Sequence, residues 1–156
     1  MSGDGVEVRA GVREDLPRVA ELAAEHAAYE RADPPAGDFA ERLAEALFDR
    51  SPPWVSLLVA ALPDGRLAGY ATCAPEFATW QGRRYLHMDC LYLRAEHRGH
   101  GLGRRLFDAV AAEAGALGLT EIQWNTPLWN EDAMRFYERL GAVRRDKARY
   151  GLRLPR

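Results

Sequence analysis

The amino-acid sequence predicts an α/β fold: a mixed, mostly antiparallel sheet flanked by helices, in a single domain over residues 1–156. Three observations support this prediction. A chain of 156 residues, 47% of them hydrophobic, can bury a core without disulfides or a metal. Apolar residues alternate at strand spacing in some segments and recur at helical spacing in others. No repeat, low-complexity tract or linker interrupts these segments.

The first half of the chain predicts two helices between strands, with proline and glycine clusters marking their ends. These breaks fall at residues 32–37, at Ser51-Pro52-Pro53 and at the turn Pro63-Asp64-Gly65. The predicted elements are a strand over 6–10, a helix from Leu16 to about Tyr29, a second helix from about Asp38, a strand over 54–62 and a returning strand over 67–74.

The second half predicts a central strand that leads into a glycine-rich turn and a helix. The predicted elements are a loop over 76–82 that carries Phe77 and Trp80, a central strand over 85–93, a helix over 102–117, a strand over 120–125, a helix over 130–140, and a final hairpin from Val143 and residues 149–154.

Composition argues against several classes of function. The formal net charge of -2 is unlike that of a general nucleic-acid-binding protein, which carries a basic excess. Cys73 and Cys90 lie in apolar, strand-like runs, so we expect them to be buried and reduced. No Cys/His spacing matches a zinc site, and no segment matches a signal peptide or a membrane span. We therefore expect a cytoplasmic protein with no metal and no nucleic-acid or membrane partner.

The turn after the central strand reads Arg98-Gly99-His100-Gly101-Leu102-Gly103. Alternating glycines let the backbone turn sharply and approach a ligand closely. Consecutive N–H groups at a helix N-terminus form an anion-binding nest, which favours a phosphate or pyrophosphate. A purely structural turn is the alternative. A P-loop would need a Gly-Lys-Ser/Thr run, and a dinucleotide-binding fingerprint would need an N-terminal βαβ unit, so both fit poorly.

Two motifs at matching separation resemble the GNAT superfamily of N-acetyltransferases. The first is Arg-x-x-Gly-x-Gly, between a strand and a helix, and here it spans Arg98 to Gly103. The second is Asn-x-x-Ala-x-x-Phe-Tyr, here Asn130 to Tyr137, followed by Leu140-Gly141-Ala142. Residues 9–17 look like the family's first strand and helix, so the resemblance covers nearly the whole chain.

The resemblance implies a GNAT-like fold with splayed central strands and acetyl-CoA as the acetyl donor. The pyrophosphate would meet backbone N–H groups from Arg98 to Arg104, and the pantetheine would pair with the central strand at Leu91 and Leu93, as an added strand does. The family also implies a bulge in this strand, which the sequence does not locate. Arg104 could instead lie on a solvated helix face. The implied cofactor-binding residues are Leu91, Tyr92, Leu93, Arg98, Gly99, His100, Gly101, Leu102, Gly103, Arg104, Asn130 and Tyr137.

The resemblance also implies a catalytic acid and a catalytic base. Tyr137 is at the family's general-acid position, where a phenol would protonate the departing CoA thiolate. Asp89 is the implied base, at a position where the polyamine branch carries a glutamate. Strand alternation would turn Asp89 to the same face as Leu91 and as His87, a second candidate base. Tyr137 could instead be a core tyrosine, and Asp89 a structural carboxylate.

The acceptor implied by the resemblance is a small amine. Trp80-Gln81-Gly82-Arg83 is similar to the spermidine/spermine (thialysine) acetyltransferase branch. Acidic residues near the end of the first helix would form a negative funnel for a cationic acceptor, although a solvated acidic helix end is the alternative. These acidic residues are Glu25, Glu30, Asp33 and Asp38. The implied substrate-binding residues are Glu30, Asp33, Glu76, Trp80 and Asp89.

These residues together predict an N-acetyltransferase that moves an acetyl group from acetyl-CoA to a primary amine by direct attack in a ternary complex. An aminoglycoside-type or protein-amine acetyltransferase is one alternative, and a non-catalytic acyl-CoA-binding module is another. The presence of Tyr137 and Asp89 favours an enzyme. Cys90 is disfavoured as an acyl-carrying nucleophile because no activating His–Asp set is evident. The resemblance also implies a homodimer.

Overall fold

A computed structural model describes residues 5–156. The chain divides into two compact units, a larger one that ends at Asn125 and a smaller one from Thr126 to Arg156. The predicted single domain over residues 1–156 stays a prediction. Among the described residues, the larger unit contains β1 (Glu7–Ala10), α1 (Leu16–Tyr29), α2 (Phe39–Phe48), β2 (Ser56–Ala61), β3 (Leu67–Ala78), β4 (Arg83–Leu93), α3 (Leu102–Ala116) and β5 (Ile122–Gln123). The smaller unit contains α4 (Glu131–Arg139).

The sheet of the larger unit has the order β1-β2-β3-β4-β5. The first four strands pair antiparallel. β5 pairs parallel to β4 only through Leu86 with Ile122 and His87 with Gln123. Beyond His87 the two strands no longer pair, which is the predicted splay. The prediction of an α/β fold with a mixed, mostly antiparallel sheet is confirmed.

Helices cover both faces of the sheet, and the two-residue period of the strands divides the core accordingly. On β2, Leu58 and Ala60 pack toward α3 with Leu106 and Val110. The intervening residues Leu57 and Val59 pack toward α1 and α2. Because both faces are buried, β2 is apolar after its first residue, Ser56, unlike the half-exposed β1. Burying each large aliphatic side chain stabilises the fold by about 2 kcal/mol.

The hairpin of β3 and β4 is longer than predicted. Glu76, Phe77 and Ala78, which the sequence assigned to a loop, pair with Tyr85, Arg84 and Arg83. The Tyr85 hydroxyl donates to Glu76 Oε2 across the pair at 2.6 Å. The cross-strand contact therefore extends the ladder. The turn is confined to residues 79–82, where Gly82 has a φ of +65°.

Two predictions near the end of the chain were wrong. The strand expected over 120–125 is limited to Ile122–Gln123, because β5 pairs with β4 only at Leu86 and His87, before the bulge in β4. The final hairpin does not form: the described residues after Arg139 include no strand. Val143, Tyr150 and Leu152 stay largely exposed. Alternation of apolar residues over 149–154 predicted a strand, but it did not supply a pairing partner.

Candidate functional site

β4 contains the bulge that the sequence could not locate, and it falls at Asp89. Met88 pairs with Cys73, and Cys90 pairs with the preceding residue, Thr72. Asp89 is therefore the extra residue, with none opposite it. The bulge also changes which way later residues face. Leu91 packs toward α3, whereas Cys90 packs toward α1 and α2.

The prediction that Asp89 and Leu91 lie on the same face of β4 was therefore wrong. Strict alternation turned Asp89 the same way as Leu91, but the inserted residue breaks that alternation. The Asp89 carboxylate lies 3.8 Å from Cys90 Sγ and 3.8 Å from His87 Nε2, and 69% of its side chain is exposed. His87 and Asp89 do lie together, as predicted. The bulge thus presents an exposed carboxylate beside a half-buried imidazole.

Beyond the bulge, the edge of β4 that faces away from β3 is open. The Arg94 N–H donates to Ala68 O at 2.9 Å, toward β3. Alternation then turns the backbone groups of Leu91 and Leu93 to the other edge, and within the described part of the larger unit no strand pairs with them there. The Leu93 carbonyl accepts from Arg98 Nε at 2.9 Å. An extended ligand could still add to this edge as a strand does, through the backbone groups of Leu91 and the Leu93 N–H.

The glycine turn has the backbone that its sequence predicted. Gly99 and Gly101 have φ of +81° and +79°, the left-handed region that favours glycine. Gly101 is the N-cap of α3, so the first N–H groups of that helix face outward and attract negative charge. A Cβ built at either glycine would have no atom within 4 Å. Backbone conformation, not crowding inside the protein, therefore requires glycine here, and the space over the turn is open.

The arginines around this turn all have internal partners. The Arg98 guanidinium lies over the rings of Tyr29 and Tyr92, with centroid distances of 4.9 and 5.5 Å. Arg104 pairs with Asp108, four residues on, at 3.1 Å, and Arg105 donates to Val6 O at 2.6 Å. The Arg98 side chain thus fixes the turn against α1 and β4. The groups left for an anion are mainly backbone N–H donors.

A buried polar chain on the other face of β4 was not predicted. His26 Nε2 contacts Glu30 Oε2 at 2.5 Å, and His26 Nδ1 lies 3.0 Å from the Tyr70 hydroxyl. The His26 ring also stacks on Tyr92, with centroids 5.0 Å apart. Burial is the main cause that lowers the pKa of His26 and raises the pKa of Tyr70. From the sequence, Glu30 was assigned to the substrate site, but His26 was not. The spacing of four residues between them on one helix was the feature that could have indicated their contact.

The acidic residues near the end of α1 are mostly paired within the protein. Glu25 accepts from Arg94 Nε at 2.9 Å. Asp38 pairs with Arg42 at 2.6 Å. Asp33 makes no ion pair with any described residue. Glu30 contacts His26, and the assignment of these acidic residues to an acceptor-binding wall stays a prediction.

Glu76 and Trp80 lie at the other end of the β3–β4 hairpin. Tyr85, the cross-strand partner of Glu76, is four residues from Asp89, or about 13 Å along a strand. Trp80 is fully exposed in the turn. The structure thus does not bring either side chain to the bulge, and their assignment to the substrate site stays a prediction.

The second motif lies in the smaller unit. Asn130 is buried, and its Oδ1 accepts from the Ala133 N–H at 3.2 Å, so it caps α4 as predicted. Tyr137 is half-buried on α4 beside Phe136, with ring centroids 5.5 Å apart. The catalytic role of Tyr137 stays a prediction.

Residues 5–156 hold no group of three or more His, Cys, Asp or Glu side chains arranged to bind a metal ion. Each helix within residues 5–156 is too short or too polar to span a lipid bilayer.

Comparison with known proteins gives concordant matches. A sequence model of the Acetyltransferase (GNAT) family matches residues 16–142. The chain is 31% identical over 81 residues to an L-ornithine N5-acetyltransferase of Arabidopsis thaliana, covering 52% of this chain and 36% of that protein. It is 35% identical over 72 residues to a thialysine N-epsilon-acetyltransferase of Caenorhabditis elegans, covering 46% and 44%. The matches thus span less than half the length of these relatives.

A solved structure matches over a larger share of the chain. The ribosomal-protein-alanine N-acetyltransferase from Brucella melitensis biovar Abortus 2308 has a TM-score of 0.74 and 28% identity, over 96% of this chain and 99% of that one.

Proposed function

The chain belongs to the GNAT family of acetyltransferases, as its motifs predicted, and we propose that it transfers an acetyl group from acetyl-CoA to a primary amine. The observation that carries this proposal is the continuity of two backbone features. The open edge of β4 at Leu91 and Leu93 leads, within a few residues, into the glycine turn at the start of α3. The β4 edge can pair with an extended chain that contains amides, and the glycine turn can bind a pyrophosphate. Acetyl-CoA has both parts.

In the proposed complex, the pyrophosphate accepts hydrogen bonds from backbone N–H groups between Arg98 and Arg104. The pantetheine amides pair with Leu91 and Leu93, which directs the thioester toward the bulge at Asp89. The Arg98 guanidinium stacks on the Tyr92 ring. The proposed role of these two side chains is to maintain the shape of the donor site. Asn130 and Tyr137 belong to the proposed donor site through the second family motif alone.

The proposed reaction is direct transfer. Asp89, through a water molecule, first takes a proton from the acceptor ammonium. The amine nitrogen then attacks the thioester carbonyl carbon, a C–N bond forms and the C–S bond breaks. Tyr137 gives a proton to the departing CoA thiolate, and the second proton that the nitrogen loses returns to the Tyr137 phenolate through water. The exposure of the Asp89 carboxylate supports the first role. His87, 3.8 Å from that carboxylate, is the alternative base.

We propose a small, cationic acceptor. The curated relatives that match part of this chain are named for L-ornithine and thialysine, and both compounds are amino acids with a side-chain amine. Glu30, Asp33 and Asp89 supply negative charge at the end of α1 and on β4. A protein amine is the second candidate, supported by the structural match to a ribosomal-protein-alanine N-acetyltransferase. The family resemblance also leads us to expect a homodimer, and the composition leads us to expect a cytoplasmic location.

An amine panel tests this function. Release of CoA thiol is followed with acetyl-CoA and, in separate reactions, L-ornithine, spermidine, an aminoglycoside and a peptide with an N-terminal alanine. We expect release above background with L-ornithine or spermidine. Release with the peptide alone would move the assignment to protein amines. Binding of acetyl-CoA without release on any amine would identify an acyl-CoA-binding module instead.

A further inference from the structure

The chain of hydrogen bonds from Tyr70 through His26 to Glu30 has a defined direction. Tyr70 is buried on β3, and its raised pKa keeps the hydroxyl protonated at neutral pH. The lowered pKa of His26 keeps the imidazole neutral there. A neutral imidazole has one N–H and one acceptor nitrogen. Since the Glu30 carboxylate can only accept, Nε2 carries the proton, and the Tyr70 hydroxyl donates to Nδ1.

This arrangement leaves the Glu30 carboxylate held but still charged. One oxygen, Oε2, accepts from His26 Nε2–H, and 28% of the Glu30 side chain remains exposed at the end of α1. His26 is more enclosed, with 13% of its side chain exposed. The imidazole cannot easily contact a substrate, but the carboxylate can. His26 would therefore act through Glu30.

We propose that His26 is a positioning residue for the acceptor amine, and that its protonation cancels the charge with which Glu30 attracts that amine. The inference rests on the proposed function, because it needs a cationic acceptor. With neutral His26, Glu30 offers a full negative charge in a fixed orientation. With protonated His26, the pair is neutral, and the attraction for an ammonium group is largely lost.

Charged and titratable groups face His26 from each element packed against it. On its own helix there is Glu30, and on β4 there is Asp89; both favour the protonated imidazole. Arg98, from the glycine turn, disfavours it. The phenols of Tyr70 on β3 and Tyr92 on β4 also contact His26, and the Cys90 thiol on β4 interacts with Tyr70 and with Glu30. Burial outweighs the two carboxylates, so protonation requires a pH below the ordinary histidine pKa of about 6.5.

The test is the pH dependence of KM for L-ornithine, or for spermidine if that is the better substrate, between pH 5.5 and 7.5. An alkyl ammonium with a pKa of about 10.4 does not titrate in this range. For the wild type we expect KM of the amine to rise about fivefold or more toward the acidic end, with KM for acetyl-CoA nearly constant. A constant amine KM across this range would overturn the inference.

Variants separate positioning from simple loss of packing. His26→Gln keeps an N–H donor for Glu30 but cannot titrate, so its amine KM at pH 7.5 should stay within about threefold of wild type, without the acidic rise. His26→Leu lacks the donor and should raise KM at pH 7.5. Glu30→Gln should both raise KM and flatten its pH dependence. A full acidic rise in His26→Gln, or wild-type behaviour in His26→Leu, would refute the assigned role.

NMR spectroscopy tests the protonation of His26 without an acceptor amine. The nitrogen-15 chemical shifts of His26 report which ring nitrogen carries the proton and at what pH the ring titrates. We expect a proton on Nε2 at pH 7.5, and we expect Tyr70→Phe to disturb that preference. A proton on Nδ1 in the wild type would contradict the inference directly. No turnover with any amine would instead remove the proposed function and the inference that rests on it.

Discussion

Replacing Gly101 with alanine should weaken binding of CoA while the protein stays folded. Gly101 has a φ of +79°, and an alanine held there costs about 1–2 kcal/mol. The added Cβ would have no protein atom within 4 Å, so no internal clash adds to this cost. The methyl group would occupy the open space over the turn, where the proposed pyrophosphate lies against backbone N–H groups.

The expected loss of affinity follows from those N–H groups. A hydrogen bond to a charged group contributes about 1.5–3 kcal/mol. Disturbing one such bond should therefore reduce CoA affinity about tenfold to a hundredfold, since 1.4 kcal/mol corresponds to a factor of ten. Isothermal titration with CoA measures the affinity, and urea unfolding measures the stability of the same sample.

Gly118 provides a matched control at the other end of α3. Its φ is +72°, and a Cβ built there also has no atom within 4 Å. Gly118→Ala should therefore lose similar stability but keep its CoA affinity. If the two variants bind CoA equally well, the turn at Gly101 is not the pyrophosphate site. Equal losses of affinity in both would indicate that strain in α3, not the nest, weakens binding.

Three further predictions concern proton transfer and stability. Tyr137→Phe keeps the ring but removes the acid, so kcat should fall about 10²-fold with unchanged CoA affinity; full turnover with chemistry rate-limiting would exclude Tyr137. Asp89→Asn should remove the acidic limb of the pH profile of kcat at saturating amine, which the change in KM expected from His26 does not affect, and persistence of that limb would transfer the base role to His87 or another group. Asp15 is buried and accepts from Arg9 Nη1 and Nη2 at 2.7 and 3.0 Å. Asp15→Asn should lower the free energy of unfolding by about 2 kcal/mol, whereas the exposed Asp64→Asn should lower it far less. The hydrogen bonds from Arg9 lower the pKa of Asp15. Its stabilisation is therefore present at neutral pH and disappears as pH falls through that lowered value, which the unfolding free energy of wild type and variant measured against pH can show.

Sequence patterns predicted the parts of the fold that depend on residues close together in the chain. The glycine turn needs left-handed backbone at Gly99 and Gly101, and the alternating glycines in the sequence predicted it. The helical spacing of apolar residues predicted α1 and α3, because each helix packs one stripe against the sheet. Asn130 was recognisable as a cap from its place before α4.

Features that depend on pairing between distant segments could not be read from the sequence. The bulge at Asp89 depends on which residues of β3 oppose β4, so alternation along β4 alone gave a wrong face. The contact between His26 and Tyr70 joins a helix to a strand 44 residues away. The final hairpin failed for the same reason, since a strand-like pattern does not provide a partner strand.

Single-turnover mass spectrometry tests the central claim most directly. The protein is mixed with isotopically labelled acetyl-CoA and excess L-ornithine, or spermidine if that is the better substrate. The masses of the amine and of the intact protein are then measured over time. We predict one labelled acetyl group on the amine for each CoA released, with no acetylated protein at any time. Accumulation of acetyl-protein before product would contradict direct transfer, and release of CoA without acetylated amine would contradict N-acetyltransfer itself.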